Sequence, residues 1–251
     1  MSDFIAAEDA SILRKHGLDS FEALWELQLV AVDAPNEGRG GWSSVFRLDL
    51  DETAYYLKRQ SNYFIRSLTR PFGEPTLTRE FRSIRHYQSK GIPALQAAFH
   101  GERTVSGERR AILLTRALDG WTDLETLLAR WRQLEAGERH DILNVCGRLA
   151  AQMHGAGQKH GCFYPKHIFL RATESGYEAC LIDLEKTRSM LFDRVGRLRD
   201  MEALMRRAAP WNDEERRILL ARYLGLKGDD SQLDTWLDRL QARRQNKEAR
   251  A

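Results

Sequence analysis

Cysteine is scarce in this chain: Cys146, Cys162 and Cys180 are the only three in 251 residues, and no two form a Cys-x-x-Cys pair. That odd, scattered set excludes a disulfide framework and a thiolate-rich zinc site, and it fits a reducing compartment, so a cytoplasmic protein is expected. Long apolar runs are missing too. Stretches such as AILL (111–114) fall far short of the ~18–20 residues that a membrane span requires. The opening MSDFIAAEDASILRKHG carries acids and no apolar block, so no secretory leader is expected. Charge of one sign is not in large excess: 39 Lys and Arg face 36 Asp and Glu, a net +3. No aromatic-basic recognition motif accompanies the basic residues, which speaks against nucleic acid as a partner.

What is present is ordinary for a soluble globular chain: 42% apolar and 30% charged residues. The length suffices for one large domain or two lobes. The local charge pattern is more informative than the total. Arg66, Arg70, Arg79, Arg82, Arg85 and Lys90 cluster against only Glu74 and Glu80, and the tail RRQNKEARA is also basic. Such a patch suits an anionic ligand or a membrane surface, although a solvated face accounts equally well for any one of these arginines.

Residues 1–25 read as a helical extension anchored by Phe21, Leu24 and Trp25, and Leu27–Val32 as a short strand. The Gly-rich DAPNEGRGGWSS leads into the strands VFRLDL and TAYYLKRQ, which completes an antiparallel meander. SNYFIRSLTRPFGEPT looks irregular because prolines interrupt it. A helix follows over LTREFRSIRHYQSKG, then a hairpin turning at Ser106–Gly107. From Asp119 the pattern turns helical. Thr122 and Glu125 are spaced as a capping box, and Ile142, Leu143, Cys146, Leu149, Ala150 and Met153 form one helix face. Two short strands, HIFLRA and EACLIDL, precede three further helices, and there is no internal repeat.

The densest chemistry lies in QKHGCFYPKHIFLRA (158–172). A zinc site from His160, Cys162 and His167 lacks a fourth ligand at a familiar spacing. A Cys–His nucleophile reading leaves the Gly-rich loop and Asp183 without a role. Ordinary structural residues are the remaining reading of the loop taken alone.

The order of parts resembles a protein-kinase-like fold, and within it the bacterial lipopolysaccharide-core kinases, the Kdo/heptose kinase family with its InaA-type members. The resemblance covers about residues 26–205. It implies an α+β bilobal fold, with a helical extension at 1–25, a small antiparallel β-sheet lobe holding one helix at 26–118, and a larger helical lobe at 119–251. In EGRGGWSSVF, Gly38, Gly40 and Gly41 would let backbone N–H groups approach nucleotide phosphates. Lys58, ending a strand, would contact phosphate and pair with Glu80 on the next helix. Asp183 in LIDLEKTR takes the place of the metal-binding aspartate, and HGCFYPKH matches the catalytic-loop frame from His160 to His167. His167 stands where that frame has its second metal ligand, Tyr164 falls in place, and His154 ends the preceding helix. Arg199-Asp200 resembles the pair whose aspartate braces the loop.

One position departs from the frame: Cys162 stands where the aspartate that orients the acceptor hydroxyl is expected. The resemblance implies ATP as donor, Mg²⁺ (or Mn²⁺, given an imidazole ligand) as cofactor, and a sugar hydroxyl of an anionic glycolipid as acceptor. The segment YFIRSLTRPFG, with Phe64, Ile65, Leu68 and Phe72 beside Arg66 and Arg70, would rest peripherally on the inner membrane. The departure leaves a second expectation, a catalytically reduced protein that binds nucleotide or a partner.

Overall fold

The structure is a computed structural model and describes residues 3–38, 40–67, 70–190 and 194–249. It divides into two compact units. The first comprises the chain up to Tyr87 together with Leu95–Asp119, and the second Gln88–Ala94 with the chain from Gly120 onward.

The first unit is built on a six-stranded antiparallel sheet in the order β1-β7-β8-β4-β3-β2. Its elements along the chain are β1 (Phe4–Ile5), α1 (Ala10–Lys15), α2 (Phe21–Glu26), β2 (Asn36–Gly38), β3 (Gly41–Leu50) and β4 (Thr53–Ser61). Then come the hairpin β5 (Phe64–Ser67) and β6 (Arg70–Pro75), the helix α3 (Thr76–Ser89), β7 (Ala97–Val105) and β8 (Glu108–Arg116). Alternation sorts the faces. Leu48, Leu50, Tyr55 and Leu57 point into a core shared with Phe99, Ile112 and Leu114, while Arg47 and Asp49 point out. Leu13, Leu18, Phe21 and Leu24 from the first 25 residues complete that core.

Several local expectations are corrected. Residues 1–25 are not wholly helical, because β1 pairs with β7 through Phe4↔His100 and Ile5↔Phe99. Leu27–Val32 does not form a strand: only Ala31 makes a single bridge, to Phe46, and Val30 is 91% exposed. β-Branched composition favours a strand only where neighbours pack against it, and the start of β3 is paired instead with Asn36–Gly38. The segment expected to be irregular holds the β5–β6 hairpin, with Phe64 opposite Pro75. Proline is tolerated there because a two-stranded ribbon leaves each strand an unpaired edge.

The second unit contains β9 (Thr122–Asp123), α4 (Leu124–Ala129), α5 (Ala136–Gly155), β10 (Gln158–Lys159), β11 (Ile168–Thr173), β12 (Gly176–Leu181) and β13 (Arg188–Ser189), then α6 (Arg194–Arg207), α7 (Asp213–Leu224) and α8 (Ser231–Glu248). The start of α4 differs from the expected capping box. Thr122 lies in β9, and Asp123 is the N-cap, accepting from the Thr126 N–H at 3.0 Å. Helices α5 and α7 approach so closely that a Cβ on Gly147 would lie 2.7 Å from the Leu219 carbonyl oxygen. β11 and β12 form the predicted hairpin, so the chain from His160 to His167 leads directly into β11 and Asp183 follows β12.

Candidate functional site

In the first unit, strand and helix periodicities set one ion pair. Lys58 and Gln60 are two residues apart on β4 and share a face. The Gln60 amide oxygen accepts from the Thr76 hydroxyl (2.9 Å) and the Leu77 N–H (2.8 Å), which satisfies the first turn of α3. Two residues of strand and one helical turn span comparable distances. Lys58 therefore meets Glu80, four residues beyond Thr76, and its Nζ donates to both carboxylate oxygens at 2.7 and 2.9 Å. Glu80 is 4% exposed, so this carboxylate depends on the ammonium for compensation. Gln60, which positions the helix, carries no motif signal in the sequence.

The Gly-rich turn joins β2 to β3, with Gly38 opposite Gly41. A Cβ on Gly41 would lie 2.0 Å from the Ser61 carbonyl oxygen, so close backbone packing by itself requires glycine there. Gly40 takes a φ of 83°, in the left-handed region that favours glycine, while Arg39 before it lies outside the described residues.

In the second unit the loop is anchored from beneath. The Asp200 carboxylate on α6, 2% exposed, accepts the His160 N–H at 2.7 Å and the Gly161 N–H at 3.0 Å. His154 at the end of α5 faces the same carboxylate at 3.4 Å, and its other ring nitrogen meets the Tyr223 hydroxyl at 2.8 Å. His160 is fully buried, and burial pushes its pKa down, so the ring is neutral. Its Nε2–H donates to the Ile182 carbonyl at 2.9 Å, tying the loop to the end of β12. With Nε2 so occupied, His160 is neither a base for Cys162 nor a zinc ligand through that nitrogen. Among the described residues no group of three or more His, Cys, Asp or Glu could hold a metal ion, which removes support for the zinc reading.

His167 and Asp183 come together at the other end of the loop. His167 Nδ1–H donates to the Cys162 carbonyl oxygen at 2.8 Å. That bond fixes the tautomer and turns the Nε2 lone pair towards Asp183 Oδ2, 3.3 Å away. A lone pair and a carboxylate oxygen facing at that range repel unless a proton or a cation accompanies them. Asp183 itself is held in the left-handed region at φ 57°, and its side chain remains 39% exposed. The residues present thus fit a divalent cation that completes its shell with phosphate oxygens and water.

Cys162 is 6% exposed; burial, and then the neighbouring Cys162 side chain, raise the pKa of Tyr164, and Cys162 also raises that of Lys186. The Arg207 guanidinium carbon lies 3.7 Å from the Tyr164 ring centroid. The sequence reading assigns no role to Arg207, nor to Lys186, although Lys186 follows Asp183 by only three residues.

Comparison with known proteins bears on both units. The model of the lipopolysaccharide kinase (Kdo/WaaP) family matches residues 22–223. Protein InaA of Escherichia coli (strain K12) is 30% identical over 175 residues, 69% of this chain and 81% of that protein. The structure described as WaaP in complex with acyl carrier protein superposes with a TM-score of 0.70, covering 95% of this chain and 97% of that one. At 20% identity this second likeness shows the fold, which is protein-kinase-like.

Proposed function

Because the chain belongs to the lipopolysaccharide kinase (Kdo/WaaP) family, we propose that it is an ATP-dependent phosphotransferase acting on a sugar hydroxyl of the lipopolysaccharide inner core. The observation that carries this reading is the pairing of His167 Nε2 with Asp183 Oδ2 at 3.3 Å, which a proton or a bound cation would satisfy. Mg²⁺ is the natural occupant beside a carboxylate and phosphate, and Mn²⁺ the better match to the imidazole. Such an ion neutralises charge on the phosphates during transfer. In this reading Lys58, steadied by Glu80, holds nucleotide phosphate. Gly38, Gly40 and Gly41 offer backbone N–H groups, and His160 and Asp200 keep the loop in shape.

ATP with Mg²⁺ or Mn²⁺ is expected to raise the melting temperature. At about 100 times Kd, ligand binding stabilises by ~2.7 kcal/mol. Asp183→Ala should lose the metal-dependent part of that shift. Absence of stabilisation with either metal would sink the nucleotide reading.

A second reading is supported by Cys162. Its thiol is largely buried, and the position supplies no carboxylate to orient an acceptor hydroxyl. A chain of this kind would bind nucleotide and signal by conformation. Single-turnover transfer from radiolabelled ATP to core sugar separates the two readings.

We further propose a cytoplasmic location with peripheral contact at the inner membrane, supported by the exposed Arg66 on the β5–β6 hairpin. Among the described residues no helix is long and apolar enough to cross a membrane. Leu68 and the side chains of Arg70 and Phe72, included in that expectation, lie outside the described residues. Reversing charge with Arg66→Glu and Arg70→Glu should weaken binding to anionic vesicles carrying lipopolysaccharide precursor at least about thirtyfold, near 1 kcal/mol per residue. Equal binding in a flotation assay would overturn the membrane contact.

A further inference from the structure

Helix α3 carries Glu80, and its place is set from two sides. Gln60 fixes its first turn from β4. The other hold comes from the start of the chain. Asp3 accepts from both Nη groups of Arg103 on β7, at 2.7 and 2.8 Å, and Phe4 and Ile5 pair with His100 and Phe99. Side chains alternate along a strand, so the two residues of β1 face opposite ways. Ile5 packs against the core of the sheet. The Phe4 ring meets α3 instead: its centroid lies 4.9 Å from that of Phe81, and 4.7 Å from the Arg85 guanidinium carbon. The Phe81 ring in turn stacks on His100 at 4.3 Å. Thr78 completes the contact. Its hydroxyl donates to Glu102, so the His100 Nε2–H is the donor to Thr78 Oγ1 at 3.1 Å. That arrangement belongs to a neutral ring, and burial lowers the His100 pKa to about 4. Thr78, Phe81 and Arg85 follow one another at three and four residues and form one helix face. Glu80 sits between the first two.

We propose that β1 is a latch: Phe4, through Phe81 and Arg85, holds α3 where Glu80 reaches Lys58. Phe4 is thus a positioning residue, acting through a helix and touching no ligand. A strand of two residues makes few ladder bonds, so the ring–ring and cation–ring contacts carry the hold. Arg85, one of the basic residues around α3, accordingly serves the latch. That nucleotide phosphate is what Lys58 then holds rests on the phosphotransferase reading, but the latch itself does not. It requires only that the Lys58–Glu80 pair open when the Phe4 ring is gone.

Acylation of Lys58 reads that pair directly and needs no nucleotide. In the full chain, an amine-reactive N-hydroxysuccinimide ester should label Lys58 slowly while Glu80 holds its ammonium, with the rate followed by peptide mass spectrometry. Phe4→Ala should speed the labelling about tenfold and raise the Kd for Mg²⁺-ATP by the same factor, as the fraction of chains with α3 in place falls. Ile5→Ala trims the same strand on its other face and should leave both near their wild-type values. Arg85→Gln, at an exposed position, should speed labelling about threefold. A wild-type labelling rate in Phe4→Ala, or in Arg85→Gln if only that variant folds, would overturn the latch. So would an equal rise in Ile5→Ala, because that outcome is loss of stability alone. If the wild type binds no ATP while Lys58 is still labelled faster in Phe4→Ala, the nucleotide reading fails and the latch stands.

Discussion

Cys162→Asp is expected to raise kcat for phosphoryl transfer about 10²-fold. A positioned carboxylate that takes the proton of an attacking hydroxyl contributes about 10²–10⁴ in rate, and position 162 is where the catalytic-loop frame places it. The side chain is 6% exposed, so an aspartate there would be costly if it stood alone. It would not stand alone, because Lys186 and Tyr164 already interact electrostatically with the residue at this position. Steady-state kinetics with Mg²⁺-ATP and core oligosaccharide, compared with Cys162→Ser, would show the gain. If Cys162→Asp turns over no faster than Cys162→Ser, the missing carboxylate does not limit the reaction. The conformational reading of the protein then gains the ground that catalysis loses.

The parts of this site differ in how far the sequence discloses them. The frame from His160 to His167 is visible because a loop entering a strand fixes its residues at local spacings, and the structure keeps Asp183 beside His167 as the two strands of a hairpin must. The Lys58–Glu80 pair is 22 residues apart and becomes legible only through resemblance, since no local rule links a strand to the helix that follows a hairpin. Gln60 escapes altogether: it acts through the packing of β4 against the start of α3, which residue type and spacing do not encode. The misread strand at Leu27–Val32 has a related cause. Valines advertise a capacity for pairing, while the partner edge is assigned elsewhere in the chain. Conversely, the prolines at 71 and 75 signalled a break, but an unpaired ribbon edge tolerates them.

For stability, the residue with the largest expected effect is Asp200. Asp200→Ala should destabilise the second unit by about 3–5 kcal/mol, because it leaves two N–H groups, those of His160 and Gly161, without their acceptor, at about 1–3 kcal/mol each when buried. It also removes the carboxylate facing His154. Asp200→Asn retains one acceptor oxygen and should cost about half as much. Urea unfolding measures the total, and amide hydrogen exchange at His160 and Gly161 localises it. Both amides should exchange faster in Asp200→Ala even under conditions where α5 stays protected. Loop amides that remain as slow as in the wild type would mean that His160 Nε2, through its bond to the Ile182 carbonyl, holds the loop unaided. The expected result instead makes Asp200 the post on which the loop is hung. The positions of Cys162 and His167 then depend on a helix that contributes no group to the chemistry itself.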